Sequence, residues 1–175
     1  MIRERYNTNT IFIVSYFLYD FYTNMIFSRW QNAIANLPQD THNHCLVTLA
    51  NGDLFYAGGW TSSISKSSYR YIKQDNQWEK KSDMKKARSG PGCGRVINPW
   101  TRKEEVVVAA GSGGGARLSS TEIYTVEDDT WKPGPTLPKA LNSPTSLPYE
   151  DTFLLLGGND GSSSTCMDSI YQVGT

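Results

Sequence analysis

Two histidines and a cysteine stand together at His42-Asn43-His44-Cys45, a cluster of metal-ligating residue types. On an extended strand His42 and His44 would share a face, a spacing that divalent metals use. Cys45 would then point to the opposite face, and the nearby sequence supplies no third ligand, so no metal site is assigned. Gly111-Ser-Gly-Gly-Gly115 has the composition of a phosphate cradle. A P-loop requires Gly-Lys-Ser/Thr opening a helix, and a dinucleotide fingerprint requires strand, turn and helix. Here Ala116-Arg-Leu-Ser-Ser120 leads into another strand, so the segment reads as a flexible loop. No Gly-x-Ser-x-Gly elbow occurs. Glu104-Glu105 and Asp128-Asp129 read as solvated carboxylates at turns or strand edges rather than as an acid–base pair. The sequence therefore assigns no catalytic residue and no cofactor.

The remaining composition narrows the class. The 175 residues have room for one domain with a real core. Seventeen basic side chains balance seventeen acidic ones, which gives no electrostatic reason to expect nucleic acid or an anionic membrane as partner. Cys45, Cys93 and Cys166 are too few and too scattered for a disulfide framework, and no CxxC pair suggests a zinc ribbon. With no N-x-Ser/Thr sequon either, the expectation is a reducing, cytoplasmic setting. Secretion enters only if residues 1–35 act as a targeting segment. The apolar run Ile11–Tyr19 follows Arg3 and Arg5, but Asp20 interrupts it, and it is too short and too polar to span a membrane.

The elements that must position these residues announce themselves by repetition. Three apolar runs end in glycine: Leu54-Phe-Tyr-Ala-Gly58-Gly59, Val106-Val-Val-Ala-Ala-Gly111 and Phe153-Leu-Leu-Leu-Gly157-Gly158. Their last glycines lie 52 and 47 residues apart. A polar loop follows each, then a tyrosine: Tyr71, Tyr124 and Tyr171. Seven residues after the first two tyrosines come Trp78 and Trp131, and Trp30 precedes Trp78 by 48. A run such as Val106–Ala110 lacks alternation, as expected of a strand buried on both faces. The glycines release the backbone into positive φ or allow close approach. Tyrosine and tryptophan bury large rings between sheets while each keeps one polar atom for a hydrogen bond. The expected strands are 44–49, 53–58, 68–73 and 77–81; 92–97, 104–110, 121–126 and 130–132; and 144–148, 152–157 and 168–173. Asn51-Gly52 is expected to form a tight hairpin turn.

The Gly-Gly, Tyr and Trp marks at a period near fifty resemble the kelch repeat, whose unit is one four-stranded propeller blade. The resemblance implies an all-β fold of kelch-type β-propeller blades, each of four antiparallel strands, in an incomplete ring. Repeats are expected at 40–84, 85–138 and 139–175, the last stopping before its final strand, with 1–39 holding a remnant of a preceding blade. Two copies closing one ring, or a truncated chain, would account for such an arc. Similar proteins serve as adaptors for ubiquitin ligases or bind actin, so the resemblance implies a scaffold that binds another protein. No BTB domain fits in the leading forty residues. A fragment of a galactose-oxidase-like or mutarotase-like enzyme is the alternative, as is a gene fragment without function.

Loops between second and third strands gather on one propeller face. Trp60, Arg117, Asn159 and Asp160 lie on these loops and are the expected partner contacts, Trp and Arg being the types enriched at interface hot spots. Lys80-Lys81 and Lys85-Lys86 read as a charged strand edge that discourages aggregation, the alternative being part of a basic partner surface.

Overall fold

The computed structural model describes residues 34–162 and 167–172. The chain divides at Ile34/Ala35, and the elements below all belong to Ala35–Thr175. Among the described residues the secondary structure is entirely strand and turn. The first sheet contains β1 (Cys45–Thr48), β2 (Leu54–Ala57), β3 (Ser68–Ile72) and β4 (Gln77–Lys81), paired in that order. The second contains β5 (Gly92–Ile97), β6 (Glu104–Ala109), β9 (Thr121–Thr125) and β10 (Thr130–Pro133). A small ribbon of β7 (Ser112–Gly113) and β8 (Ala116–Arg117) interrupts it. The third sheet is β11 (Thr145–Tyr149), β12 (Thr152–Leu156) and β13 (Ile170–Gln172). Neighbouring strands are antiparallel throughout these sheets. The strands fall within about two residues of the positions expected from the repeat, because the glycine ends and the turn residues set their limits.

Each sheet packs face to face on the next. Phe55 of the first stacks on Tyr124 of the second at 4.5 Å and lies 6.1 Å from Trp131. Around this contact Val47, Leu49, Val106 and Val108 form one continuous core. The second core joins Val107 and Ala109 of the second sheet to Phe153 and Leu155 of the third. Gly92 and Gly94 on β5 make room for it, since a Cβ at either position would overlap Leu155 or Phe153. The central strands are buried on both faces, which explains their unbroken apolar sequence.

A hydrogen-bonded clamp recurs at both tyrosine–tryptophan pairs. Tyr71 donates its hydroxyl to Oδ1 of Asn76 (2.8 Å), and Tyr124 donates to Oδ1 of Asp129 (2.7 Å). The same oxygens accept the backbone N–H of Ala35 and of Ser82, respectively. The carbonyls of Ala35 and Ser82 in turn accept the indole N–H of Trp78 and Trp131. One turn residue, one phenol and one indole thereby grip the backbone of the segment that precedes each blade. Asn76 and Asp129 both take φ of 49°, a left-handed conformation that Asn and Asp tolerate best among residues with a Cβ.

The glycine ends also repeat. Gly59, Gly111 and Gly158 have φ between 89° and 98°. An added Cβ at Gly59 would lie 2.6 Å from Thr41 Oγ1 and 2.9 Å from His44 Cβ. Ala110, which replaces the first glycine of the doublet, still adopts φ of 63° and is fully buried. A buried arginine pins the second sheet. Arg88 donates to the carbonyls of Ala110 and Ser120 and to Oε1 of Glu122, whose carboxylate also accepts the amides of Lys85 and Lys86. Burial lowers the Arg88 pKa and Glu122 opposes that shift.

Several expectations are corrected. Cys45 and Cys93 are not separate packing residues; they are joined by a disulfide between β1 and β5. The reason is register. Cys45 pairs with Ala57, whereas Cys93 pairs with Val108, one place short of the corresponding Ala109, so the two side chains point toward each other. The glycine-rich segment is not a flexible loop. It is the β7–β8 ribbon, turned by Gly114 and Gly115 at φ of 61° and 82°. Asn51-Gly52 forms a longer turn than a two-residue hairpin, with the Gly52 amide on the Leu49 carbonyl and the Leu49 amide on that of Asp53. Trp30, Cys166 and the aromatic run at 11–19 lie outside the described residues.

Two outcomes are expected. Gly59→Ala should destabilise the chain by about 2–4 kcal/mol in urea unfolding, from left-handed strain plus overpacking. The second concerns acid. Burial works against the Asp129 charge, but the Ser82 amide and Tyr124 hydroxyl outweigh it and hold its pKa below the usual value. A depressed folded pKa gives stability that is present above the unfolded value and lost as pH falls through the folded one. Asp129→Asn, which copies the clamp at Asn76, should flatten the loss of stability between roughly pH 4 and pH 2. Urea midpoints across that window measure it; an unchanged acid slope would contradict the clamp.

Candidate functional site

Propeller-type sheets leave function to their ends, where loops from successive sheets meet. At one end of these sheets the connections 58–67 and 110–120, together with residues 157–162 and 167–169, lie beside the segments that enter β1, β5 and β11. Backbone bridges knit the two sets together: His42 with Trp60, Ser89 with Ser112, Leu118 with Leu141, and Asn142 with Asn159. Ser65 and Met84 extend this lattice, accepting from Arg88 and donating to Lys66 through their backbones. The loops are therefore ordered by main-chain pairing, with Trp60, Ser62, Ser63, Lys66, Ala116 and Arg117 among their exposed residues.

Arg117, Asn159 and Asp160 are brought together here. Arg117 Nε donates to the Asn159 carbonyl at 3.0 Å and its NH2 group to Asn159 Oδ1 at 2.9 Å. This joins the second sheet's loop to the third's. Asp160 accepts from the Ser162 hydroxyl and amide, and its pKa is lowered by those bonds and by Lys139. Trp60 stands on the first sheet's loop. Its backbone is paired to His42 and Ile64, and the residue as a whole is 41% exposed. Lys66, Lys85, Lys86 and Lys139 lie on the same end, with Asp83 held between Lys66 and Lys80. The result is a surface rich in cations with one exposed indole.

The histidine pair does not form a shared face. Asn43 between them has φ of 53°, which breaks the strand alternation. His42 is exposed, while His44 packs its ring on Tyr56 at 4.9 Å. Burial first, and then the His42 charge, lower the His44 pKa. Among the described residues no group of three His, Cys, Asp or Glu side chains converges. Lys80 and Lys81 do lie on β4, the outer edge of its sheet. Lys85 and Lys86 lie beyond it, where Glu122 holds their amides.

The opposite end presents a tryptophan that stands outside the repeat pattern, in the extra loop 98–102. Trp100, at the tip of the β5–β6 connection, is 80% exposed. Asn98 Oδ1 accepts the amides of Trp100 and Thr101, and Arg102 closes the turn at φ of 61°. Beside it lies a cleft of about 270 Å³ lined by Val96, Pro99, Ile123, Lys132 and Pro135. The Asn-Pro-Trp sequence of a capped turn was the available signal.

A profile of the Kelch motif family matches residues 101–138. The chain is 30% identical over 128 residues to human Kelch-like protein 34, covering 65% of this chain and 19% of that protein. It is 27% identical over 134 residues to Kelch repeat and BTB domain-containing protein 8 of Danio rerio, covering 69% and 21%. The chain thus spans about a fifth of the length of these curated relatives. Among solved structures, YjhT superposes with a TM-score of 0.69 at 13% identity, over 83% of this chain and 46% of that one, a likeness of fold alone. Phased glycines, the repeated tyrosine–tryptophan clamp and these matches agree: the chain contains a Kelch motif at residues 101–138, resembles kelch-like proteins around it, and folds as four-stranded sheets of the β-propeller kind.

Proposed function

We propose that the chain is a protein-binding module whose loop end, with Trp60, Arg117, Asn159 and Asp160, receives a partner polypeptide. The observation that carries this reading is the backbone lattice beneath those loops, which fixes an exposed indole and a cationic rim on a rigid base. A rigid base limits the entropy lost on binding, and Trp and Arg are effective anchors once desolvated. The resemblance to kelch-repeat proteins, which generally act as protein-interaction scaffolds, supports this reading. In this reading the repeats are 40–84, 85–138 and 139–175. The apolar side chains Leu147 and Ile170, exposed on the third sheet, support self-association as a second contact. A cytoplasmic setting belongs to the same proposal. Among the described residues no helix is long and apolar enough to cross a membrane.

Arg117→Ala and Trp60→Ala are the direct tests. Each should cost no more than about 1–2 kcal/mol of unfolding stability, because both residues are exposed and belong to neither core, Arg117 giving up only its bonds to Asn159. Each should weaken capture of the partner in affinity purification by roughly tenfold or more. Full recovery of the same partner by the double variant would refute the loop-end reading, and Trp100→Ala then reports on the opposite end.

A further inference from the structure

The disulfide between Cys45 and Cys93 joins the innermost strands of two successive blades, and the loop-end reading makes no use of it. Its Cα atoms are 5.9 Å apart, within the ordinary range for a bridge. Both residues line a cavity of about 730 Å³ bounded by β1, β5 and β11, with Arg95, Ser146 and Asp151 among its walls. Cys45 is only 1% exposed, whereas Cys93 is partly accessible from that cavity. The sulfurs therefore sit between a packed interface and an open space that a small thiol can enter.

The interface beneath them is complete without the bond. Phe55 stacks on Tyr124, Ser82 is gripped by Asp129 and Trp131, and the Ala50 amide donates to Glu104 across the same two blades. Breaking the bridge removes a covalent tie and leaves these contacts standing.

We propose that Cys45 and Cys93 form a reversible redox staple between adjacent blades, exchanging with small thiols and disulfides through the central cavity. In the oxidising direction the Cys93 thiolate attacks a low-molecular-weight disulfide such as oxidised glutathione. A bond forms between Cys93 and one glutathione sulfur, and the other glutathione leaves as thiolate. The Cys45 thiolate then attacks the Cys93 sulfur and expels the second glutathione. Two protein thiols and one small disulfide become one protein disulfide and two small thiols, with the two protons passing to the released thiolates. Reduction by excess glutathione is the reverse.

The test uses the full chain equilibrated across glutathione buffers from fully reduced to fully oxidised, then acid-quenched, alkylated and mapped by mass spectrometry without reduction. A linked Cys45–Cys93 peptide pair should accumulate with oxidation and vanish with reduction, while far-UV circular dichroism stays unchanged. The oxidised form should melt higher than the reduced form by roughly 5–15 °C. Hydrogen exchange in β1 and β5 should be faster in the reduced form. Cys93→Ser should abolish the melting difference; if that variant does not fold, the wild-type map alone decides. Three results would overturn the proposal: free thiols persisting under oxidised glutathione, a bond to Cys166 or to a second chain, or a bridge that yields only when the protein unfolds.

Discussion

A strand such as Val106–Ala109, apolar on both faces, can be stable in water only if a sheet covers each side. That constraint organises everything else in this chain. It sets Phe55 against Tyr124 and Trp131, and it opens the gap at Gly92 and Gly94 into which Phe153 and Leu155 fit. Aromatic pairs of this geometry are worth about 0.5–1.5 kcal/mol each beyond the area they bury. Apolar contact is non-directional, however, and by itself would let one sheet slide on the next.

The clamps at Asn76 and Asp129 supply the missing direction. Each carboxamide or carboxylate oxygen accepts from a tyrosine of its own blade and from the backbone of the segment before it. The indole of Trp78 or Trp131 then takes the carbonyl of that same backbone unit. Polar atoms that burial would otherwise leave unsatisfied are thereby used to fix the spacing between blades. Arg88 and Glu122 add a second polar anchor in the middle blade, where the guanidinium is fully buried. A lone buried charge would be costly, and its carbonyl and carboxylate partners explain why this one is tolerated. The third blade has the buried Leu141 at the place of Arg88, so the anchor is not part of every repeat.

These devices leave the two ends of the sheets free to vary. One end is stiffened by paired main chains, and Arg117 crosses from one blade's loop to the next. The other presents Trp100 on an Asn98-capped turn. The histidine segment, whose residue types first suggest metal chemistry, serves the framework: the His42 backbone holds the Trp60 loop, and the His44 ring lies on Tyr56.

The sequence by itself determined the strands, their glycine ends and the tyrosine–tryptophan phase, because each follows from local chemistry that recurs at a readable period. Asn76 and Asp129 both stand five residues after a tyrosine, yet Asp129 reads from sequence as a solvated turn carboxylate, because its role as clamp acceptor exists only with the preceding blade in place. Only the tertiary structure decided which faces meet. Cys45 and Cys93 lie 48 residues apart in corresponding strands, and spacing alone assigns them the same environment. A one-residue offset in strand pairing turns one of them around, and the two sulfurs face each other across the blade interface. In the same way Asn43, with its positive φ, separated two histidines that alternation had placed together. Period is a local property of the chain, whereas facing depends on register and backbone handedness, and those are settled only when the sheets pack.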